Sequence, residues 1–161
     1  MSTITAIILA RNEEKHIVDC IKSIQFVDEI LVIDDGSTDQ TVTLATNLGA
    51  KVISHPLNGD WSQQRRFGIS QAQSEWILFI DSDERVSPQL AKSIQESIKG
   101  EPNAYWLRRY NLFHHNPATH GVVRPDKVLR LMPREGATVE GAVHETFISP
   151  YPQATLEGKL Y

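Results

Sequence analysis

Residues 29–54 read EILVIDDGSTDQTVTLATNLGAKVIS, and this stretch decides the fold. Residues 29–33 are a short run rich in branched apolar side chains, the pattern of a buried strand. Asp34-Asp35-Gly36-Ser37-Thr38 makes a turn, with Ser37 or Thr38 placed to cap a helix carrying Val42, Ala45 and Leu48. Gly49 suits the left-handed residue that ends such a helix, and residues 51–54 are the next strand.

The alternation extends both ways. Upstream, residues 4–10 are a buried strand, and Ile17, Cys20, Ile21 and Ile24 mark the inner face of a helix over residues 14–25. Downstream, a helix is expected over residues 62–72 and a fourth strand over residues 75–80. Ser87-Pro88 opens a further helix with Leu90, Ile94 and Ile98 inward and Pro88 at its tolerated first position. Strands alternating with helices at this spacing imply an α/β fold, a mostly parallel sheet covered on both faces. After Gly100 the pattern changes. Residues 104–113 alternate like a half-exposed strand, residues 114–126 form a loop rich in His and Pro, and residues 127–132 return to strand. Residues 143–147 follow a Gly-containing turn, so this region reads as a mixed extension of the sheet.

The 161 residues fit one structural domain with a real core. A net charge of -4 with no basic stripe argues against a nucleic-acid binder. The longest apolar runs, such as residues 77–80, are far too short to span a bilayer. No signal peptide is expected, because the chain enters a strand without a charged leading region. Cys20 is the single cysteine, so no internal disulfide forms and a reducing cytoplasm is the natural reading.

In parallel sheets of this kind, ligands bind beyond the carboxyl ends of the strands. Three polar clusters fall there: Arg11-Asn12-Glu13, Asp34-Asp35 and Asp81-Ser82-Asp83. Asp81 and Asp83, with Glu84 following, are the strongest signal. Two carboxylates one residue apart can bind a divalent cation, and Mg²⁺ commonly combines one or two carboxylates with substrate phosphates. The plainer alternative is a solvated acidic turn that caps the next helix. Asp34 or Asp35 can accept a hydrogen bond from a base N–H or a ribose hydroxyl, while Ser37 and Asp39 serve the helix start. Asn12 and the backbone N–H groups around it can line a nucleobase pocket, or the acids there only complement a helix dipole. Beside Gln64, Arg65 or Arg66 can offset diphosphate charge with a forked contact, or both lie on a solvated face. Glu145 can act as a general base and His144 as a metal or phosphate contact, against a plain polar loop pair. His114, His115 and His120 show no tight zinc-ligand spacing and no thiolate, which favours a loop.

The order Ala10-Arg11-Asn12-Glu13-Glu14, then Asp34-Asp35-Gly36-Ser37-Thr38-Asp39, then Asp81-Ser82-Asp83-Glu84 resembles family 2 glycosyltransferases. The segments Gln64-Arg65-Arg66-Phe67, Lys127-Val128-Leu129-Arg130-Leu131 and Val143-His144-Glu145 resemble the bacterial branch containing lipopolysaccharide-core glucosyltransferases. That resemblance implies a Rossmann-like GT-A fold, with a mostly parallel central sheet flanked by helices and a mixed C-terminal extension. It implies inverting transfer from a nucleotide-sugar donor, a UDP-sugar foremost, to a glycan or glycolipid acceptor, with Mg²⁺ or Mn²⁺. Carried over, Arg11, Asn12 and Glu13 lie beside the base and Asp34 or Asp35 binds base or ribose. Arg65 and Asp81 lie at the diphosphate, Asp81, Asp83 and His144 serve the metal, and Glu145 is the base with Glu84 its rival. Arg66 stands where the branch often has Asn. Residues 1–100 then form the nucleotide-sugar-binding half and residues 101–161 the start of the acceptor side, which in the family continues well beyond Tyr161. A glycolipid acceptor would add peripheral contact with the inner face of the membrane.

Other classes fit less well. Residues 10–15 hold no glycine for a dinucleotide fingerprint, and no G-K-[ST] is present for a P-loop. An aspartyl phosphatase expects its D-x-D after the first strand, not the fourth. The competing class is a noncatalytic nucleotide-sugar-binding module.

Overall fold

The structure is a computed structural model that describes residues 2–110 and 125–161. His114, His115, His120 and most of the expected loop lie outside the described residues. The first half runs β1 (Ile4–Ala10), α1 (Ile17–Ser23), β2 (Glu29–Asp34), α2 (Thr41–Asn47), β3 (Lys51–Ser54), α3 (Trp61–Gln71), β4 (Trp76–Phe79) and α4 (Pro88–Ser97). Among the described residues the second half carries only strands: β5 (Ala104–Arg109), β6 (Asp126–Pro133), β7 (Thr138–Glu140), β8 (Thr146–Ile148) and β9 (Gln153–Thr155).

Seven of these strands form one sheet in the order β3-β2-β1-β4-β6-β5-β9. The four strands of the first half are parallel. β6 then runs antiparallel between β4 and β5, and β9 pairs parallel with β5. The parallel sheet and its mixed extension are both as the periodicity implied. β1 lies among partners on both edges and is buried at every position, which is why it is a continuous apolar run. Its Ile4, Ala6, Ile8 and Ala10 pack with Ile17, Cys20, Ile21 and Ile24 and, from α4, Leu90 and Ile94. Ile7 and Leu9 face the opposite layer, with Phe79, Val139 and the half-buried Phe67 and Phe147.

Three local expectations are corrected. Residues 143–147 do not extend the main sheet: β8 pairs with β7 in a separate two-stranded ribbon, packed against α3. The first helix begins at Ile17 rather than at residue 14. Residues 12–14 are drawn into hydrogen bonds with residues 37–41, and Glu14 bonds both Asp39 and the Gln40 N–H. Neither Ser37 nor Thr38 caps α2, because Ser37 is engaged with Asp34 and Asn12. Asp39 instead accepts from the Thr41 N–H at 2.9 Å, which delays the helix to Thr41. The other signals stand: Gly49 follows α2 with φ +91°, and Ser87 caps α4 through the Leu90 N–H with Pro88 behind it.

Gly158 fastens the last described stretch onto α4. Its φ is +112°, and an added Cβ would lie 2.5 Å from the backbone N and Cα of Leu90. Gly158→Ala should therefore lose about 2–6 kcal/mol, from backbone strain and overpacking of about 1–3 each. Urea unfolding measures this, and a parental midpoint would show that this stretch is not docked on α4.

Candidate active site

A cavity of about 470 Å³ opens beyond the carboxyl ends of β1, β2 and β4. Parallel strands that end together leave their terminal side chains around one crevice, so the three polar clusters converge. β1 contributes Arg11 and Glu13, β2 contributes Asp35, and β4 contributes Asp81, Ser82 and Asp83. α3 adds Trp61, Gln64 and Arg65, and the loop between β7 and β8 adds Val143 and Glu145.

At the end of β2 the choice between two aspartates is resolved by the turn. Asp34 is buried and accepts from the Ser37 N–H at 3.0 Å and from the Ser37 hydroxyl at 2.5 Å. Asp35 lines the cavity, where Oδ1 accepts from the Leu57 N–H at 2.9 Å and Oδ2 faces Arg11 at 3.5 Å. Asn12 is likewise a loop former. Held at φ +52°, it donates its N–H to Ser37 at 2.9 Å and accepts from the Thr38 N–H at 2.8 Å, and it lies outside the cavity wall. Glu13 does reach the wall, and burial pushes its carboxyl above the usual range.

The deepest charges are interlocked. The Arg65 guanidinium is buried, sits near the Phe79 and Phe147 rings, and donates through Nε to Glu145 and through Nη2 to Asp81 at 3.0 Å. Gln64 is fixed beside it by two contacts with His55, each 2.6 Å long. Arg66 points elsewhere, to the Val139 carbonyl and Ser62, so of the two neighbours it is Arg65 that reaches the cavity. The other oxygen of Asp81 meets Arg130 at 3.3 Å. Burial alone would raise the Asp81 carboxyl, but Arg130 and Arg65 overcome it and hold it down at about 2. Glu84 is withdrawn from the cavity, and burial raises its carboxyl against the pull of Arg130. It accepts from the Asp81 N–H at 2.8 Å and orients that residue.

The carboxylates fit only one kind of metal site. Among the described residues no three His, Cys, Asp or Glu side chains converge to hold an ion. His144 is exposed and stands outside the cavity wall, so the fold does not bring it to Asp81 and Asp83. Its neighbour Glu145 takes the inward place on Arg65 instead. Asp81 and exposed Asp83 suit a cation that draws its remaining ligands from phosphates and water, as Mg²⁺ commonly does. Arg130 and Val143 stood in the sequence only as members of the segments that carry the resemblance, with no role of their own, and Trp61 was not singled out. The signal for Arg130 was a lone charge inside the apolar run Leu129 to Met132, while exposed Trp61 follows no pattern.

The sequence profile of the family described as Glycosyl transferase family 2 matches residues 5–148. The chain belongs to that family. An uncharacterized glycosyltransferase of Rickettsia felis is 34% identical over 151 residues, 91% of this chain and 53% of that protein. The lipopolysaccharide core biosynthesis glycosyltransferase LpsC of Rhizobium meliloti is 31% identical over 100 residues, 59% of this chain and 37% of that protein. The chain spans about half the length of the first of the curated relatives it matches. Among solved structures, glucosyl-3-phosphoglycerate synthase from Mycobacterium tuberculosis, in complex with Mn²⁺, UDP and glucosyl-3-phosphoglycerate, is 25% identical with a TM-score of 0.61. That match covers 83% of this chain and 57% of the synthase chain. TarS 1-349 of S. aureus in complex with UDP is 25% identical with a TM-score of 0.60, over 71% of this chain and 37% of that one. The family 2 fold here is the GT-A fold, as the resemblance implied.

Asp34 and Asp35, at the end of β2 and just beyond it, should separate in a thermal melt. Asp34→Ala strands the half-buried N–H and hydroxyl of Ser37 and should cost about 1–3 kcal/mol. Asp35→Ala, whose carboxylate is partly solvated, should cost less. Equal losses would mean that both are turn formers.

Proposed function

We propose that the chain is the donor-binding part of an inverting glycosyltransferase. It moves a sugar from a nucleotide-diphosphate donor, a UDP-sugar, to a hydroxyl of a glycan or glycolipid. The observation that carries this reading is Arg65, which joins the D-x-D carboxylate Asp81 to Glu145 within one cavity at the strand ends. The UDP complexes of the synthase and of TarS support the donor, and the likeness to LpsC supports cell-envelope glycan or lipopolysaccharide synthesis. No helix among the described residues is long and apolar enough to cross a membrane. In this reading the protein is cytoplasmic and meets a glycolipid acceptor peripherally.

Asp35, with Arg11 and Glu13, takes the nucleoside end, where Asp35 accepts from a base N–H or a ribose hydroxyl. Arg65 meets diphosphate oxygens with the forked donors that suit them. Asp81 and Asp83 would hold Mg²⁺ or Mn²⁺, whose charge offsets that of the departing diphosphate. Glu145 takes the proton of the acceptor hydroxyl as that oxygen attacks the anomeric carbon. The bond to the diphosphate oxygen breaks on the opposite face, which inverts the configuration. Glu84 is poorly suited to this role, because the Arg130 guanidinium and the Asp81 N–H occupy its oxygens. Diphosphate that competes for Arg65 would also loosen its hold on Glu145, freeing that carboxylate to meet the acceptor hydroxyl.

Calorimetry with UDP tests the metal role: affinity should rise with Mn²⁺ over EDTA, and Asp83→Asn should lose that rise while melting like the parent. Equal affinity in both would end the metal assignment. For the chemistry, Glu145→Gln should keep UDP binding while transfer falls by about 10²- to 10⁴-fold, the usual worth of a general base. Near-parental transfer by Glu145→Gln, with Glu84→Gln inactive, hands the role to Glu84. Binding of donor without transfer or hydrolysis in the parent would leave a noncatalytic module.

A further inference from the structure

Arg130 projects from β6, a strand that carries none of the carboxylates in the cavity, and its side chain is only 4% exposed. It stands behind the cavity rather than in its wall. Its Nη1 donates to the Phe79 carbonyl at 3.1 Å and to Glu84 Oε2 at 2.9 Å. Its Nη2 donates to Glu84 Oε1 at 3.2 Å and to Asp81 Oδ2 at 3.3 Å. One guanidinium therefore grips the last residue of β4, the buried Glu84 and the half-buried Asp81 of the turn that follows. Glu84 closes the circuit by accepting from the Asp81 N–H, and Arg109 of β5 approaches Glu84 Oε1 at 3.6 Å.

We infer that Arg130, acting with Glu84, is a positioning residue: it fixes the carboxylate of Asp81 from behind so that the D-x-D turn presents one geometry to the donor's charged end. This rests on the reading of Asp81 and Asp83 as the metal and diphosphate site. The plainer role, a core ion pair that only stabilises the fold, is a weak account of these contacts. A buried pair seldom adds net stability over packed apolar side chains of similar volume, because two charges must be stripped of water. What the pair does supply is direction. Asp81 has Arg65 of α3 on Oδ1 and Arg130 of β6 on Oδ2, with its N–H tied to Glu84, so neither its rotamer nor its backbone is free to turn. A lysine at position 130 would supply charge without the planar fork that spans two carboxylates.

The test is the Mn²⁺-dependent gain in UDP affinity, taken as the ratio of Kd in EDTA to Kd in Mn²⁺. Removing the pair together, in Arg130→Met/Glu84→Met, leaves no unbalanced charge between the two. This variant should bind UDP in EDTA like the parent, yet lose about 10- to 100-fold of the gain, the usual cost of removing a group that orients a metal ligand. Arg130→Lys keeps the charge balance and should lose a smaller share, and it supplies the same readout if the double variant does not fold. A folded variant that keeps the full gain overturns the inference. So does an equal loss of affinity with and without Mn²⁺, which is what a merely structural role produces. A parent with no Mn²⁺ gain overturns the metal reading of Asp81 and this inference with it. A parent gain that survives unchanged in the variants overturns the positioning role alone.

Discussion

A guanidinium enclosed between two carboxylates is the contact on which the rest of this arrangement depends. Arg65 is buried, and an ion taken out of water must be paired and hydrogen-bonded or it costs several kcal/mol. Its partners come from distant parts of the chain: Asp81 after β4, and Glu145 in the loop of the β7–β8 ribbon. Without Arg65, two acids of one cavity would face each other across a medium that screens poorly. With it, the ribbon has a reason to lie where it does. That ribbon belongs to no larger sheet, and its loop is also pinned by the Trp61 N–H donating to the Ala142 carbonyl. Helix α3 thus builds the cavity wall on one side and holds the ribbon on the other.

The two halves of the sheet divide the work by direction. The parallel half ends its strands together and gathers the acids. β6 runs past β4 the other way, so Arg130 in its middle falls beside Phe79, the last residue of β4. Arg130 exploits that offset: its backbone sits in the core and its charge lies under the D-x-D turn. A sheet that stayed parallel throughout would have ended beside β4 rather than passed behind it.

Much of this was legible in the residues because it rests on periodicity. Alternating strands and helices, the Ser87-Pro88 start of α4 and the glycine after α2 all follow from local rules, and local rules placed the three clusters together. Where side chains had to choose between partners, the sequence was silent. Asp34 and Asp35 are chemically alike, and only the path of the turn sends one to Ser37 and the other to the cavity. Ser37 is a good helix cap by type, yet it was claimed by Asp34 and Asn12 from another loop. His144 and Glu145 are neighbours, and only the tether to Arg65 decides which one faces inward. Arg130 looked like one more residue of a strand, because its partners lie 46 and 49 positions away.

The bonds between Asn12 and residues 37 and 38 have a further thermodynamic consequence. Asn12 is one of the few non-glycine residues in a left-handed conformation, and it is held there by reciprocal bonds to the neighbouring loop. Together with Glu13 on Thr41 and Glu14 on Asp39, these bonds stitch the β1–α1 and β2–α2 loops into one rigid lip. The entropy of ordering that lip is spent when the chain folds, so any ligand arriving at Asp35 meets a surface already frozen in place. Discrimination at such a surface comes from shape and unmatched hydrogen bonds, with little loop closure to reward a near miss. A lip cut loose at Asn12 would trade that selectivity for breadth, accepting several ligands weakly in place of one well.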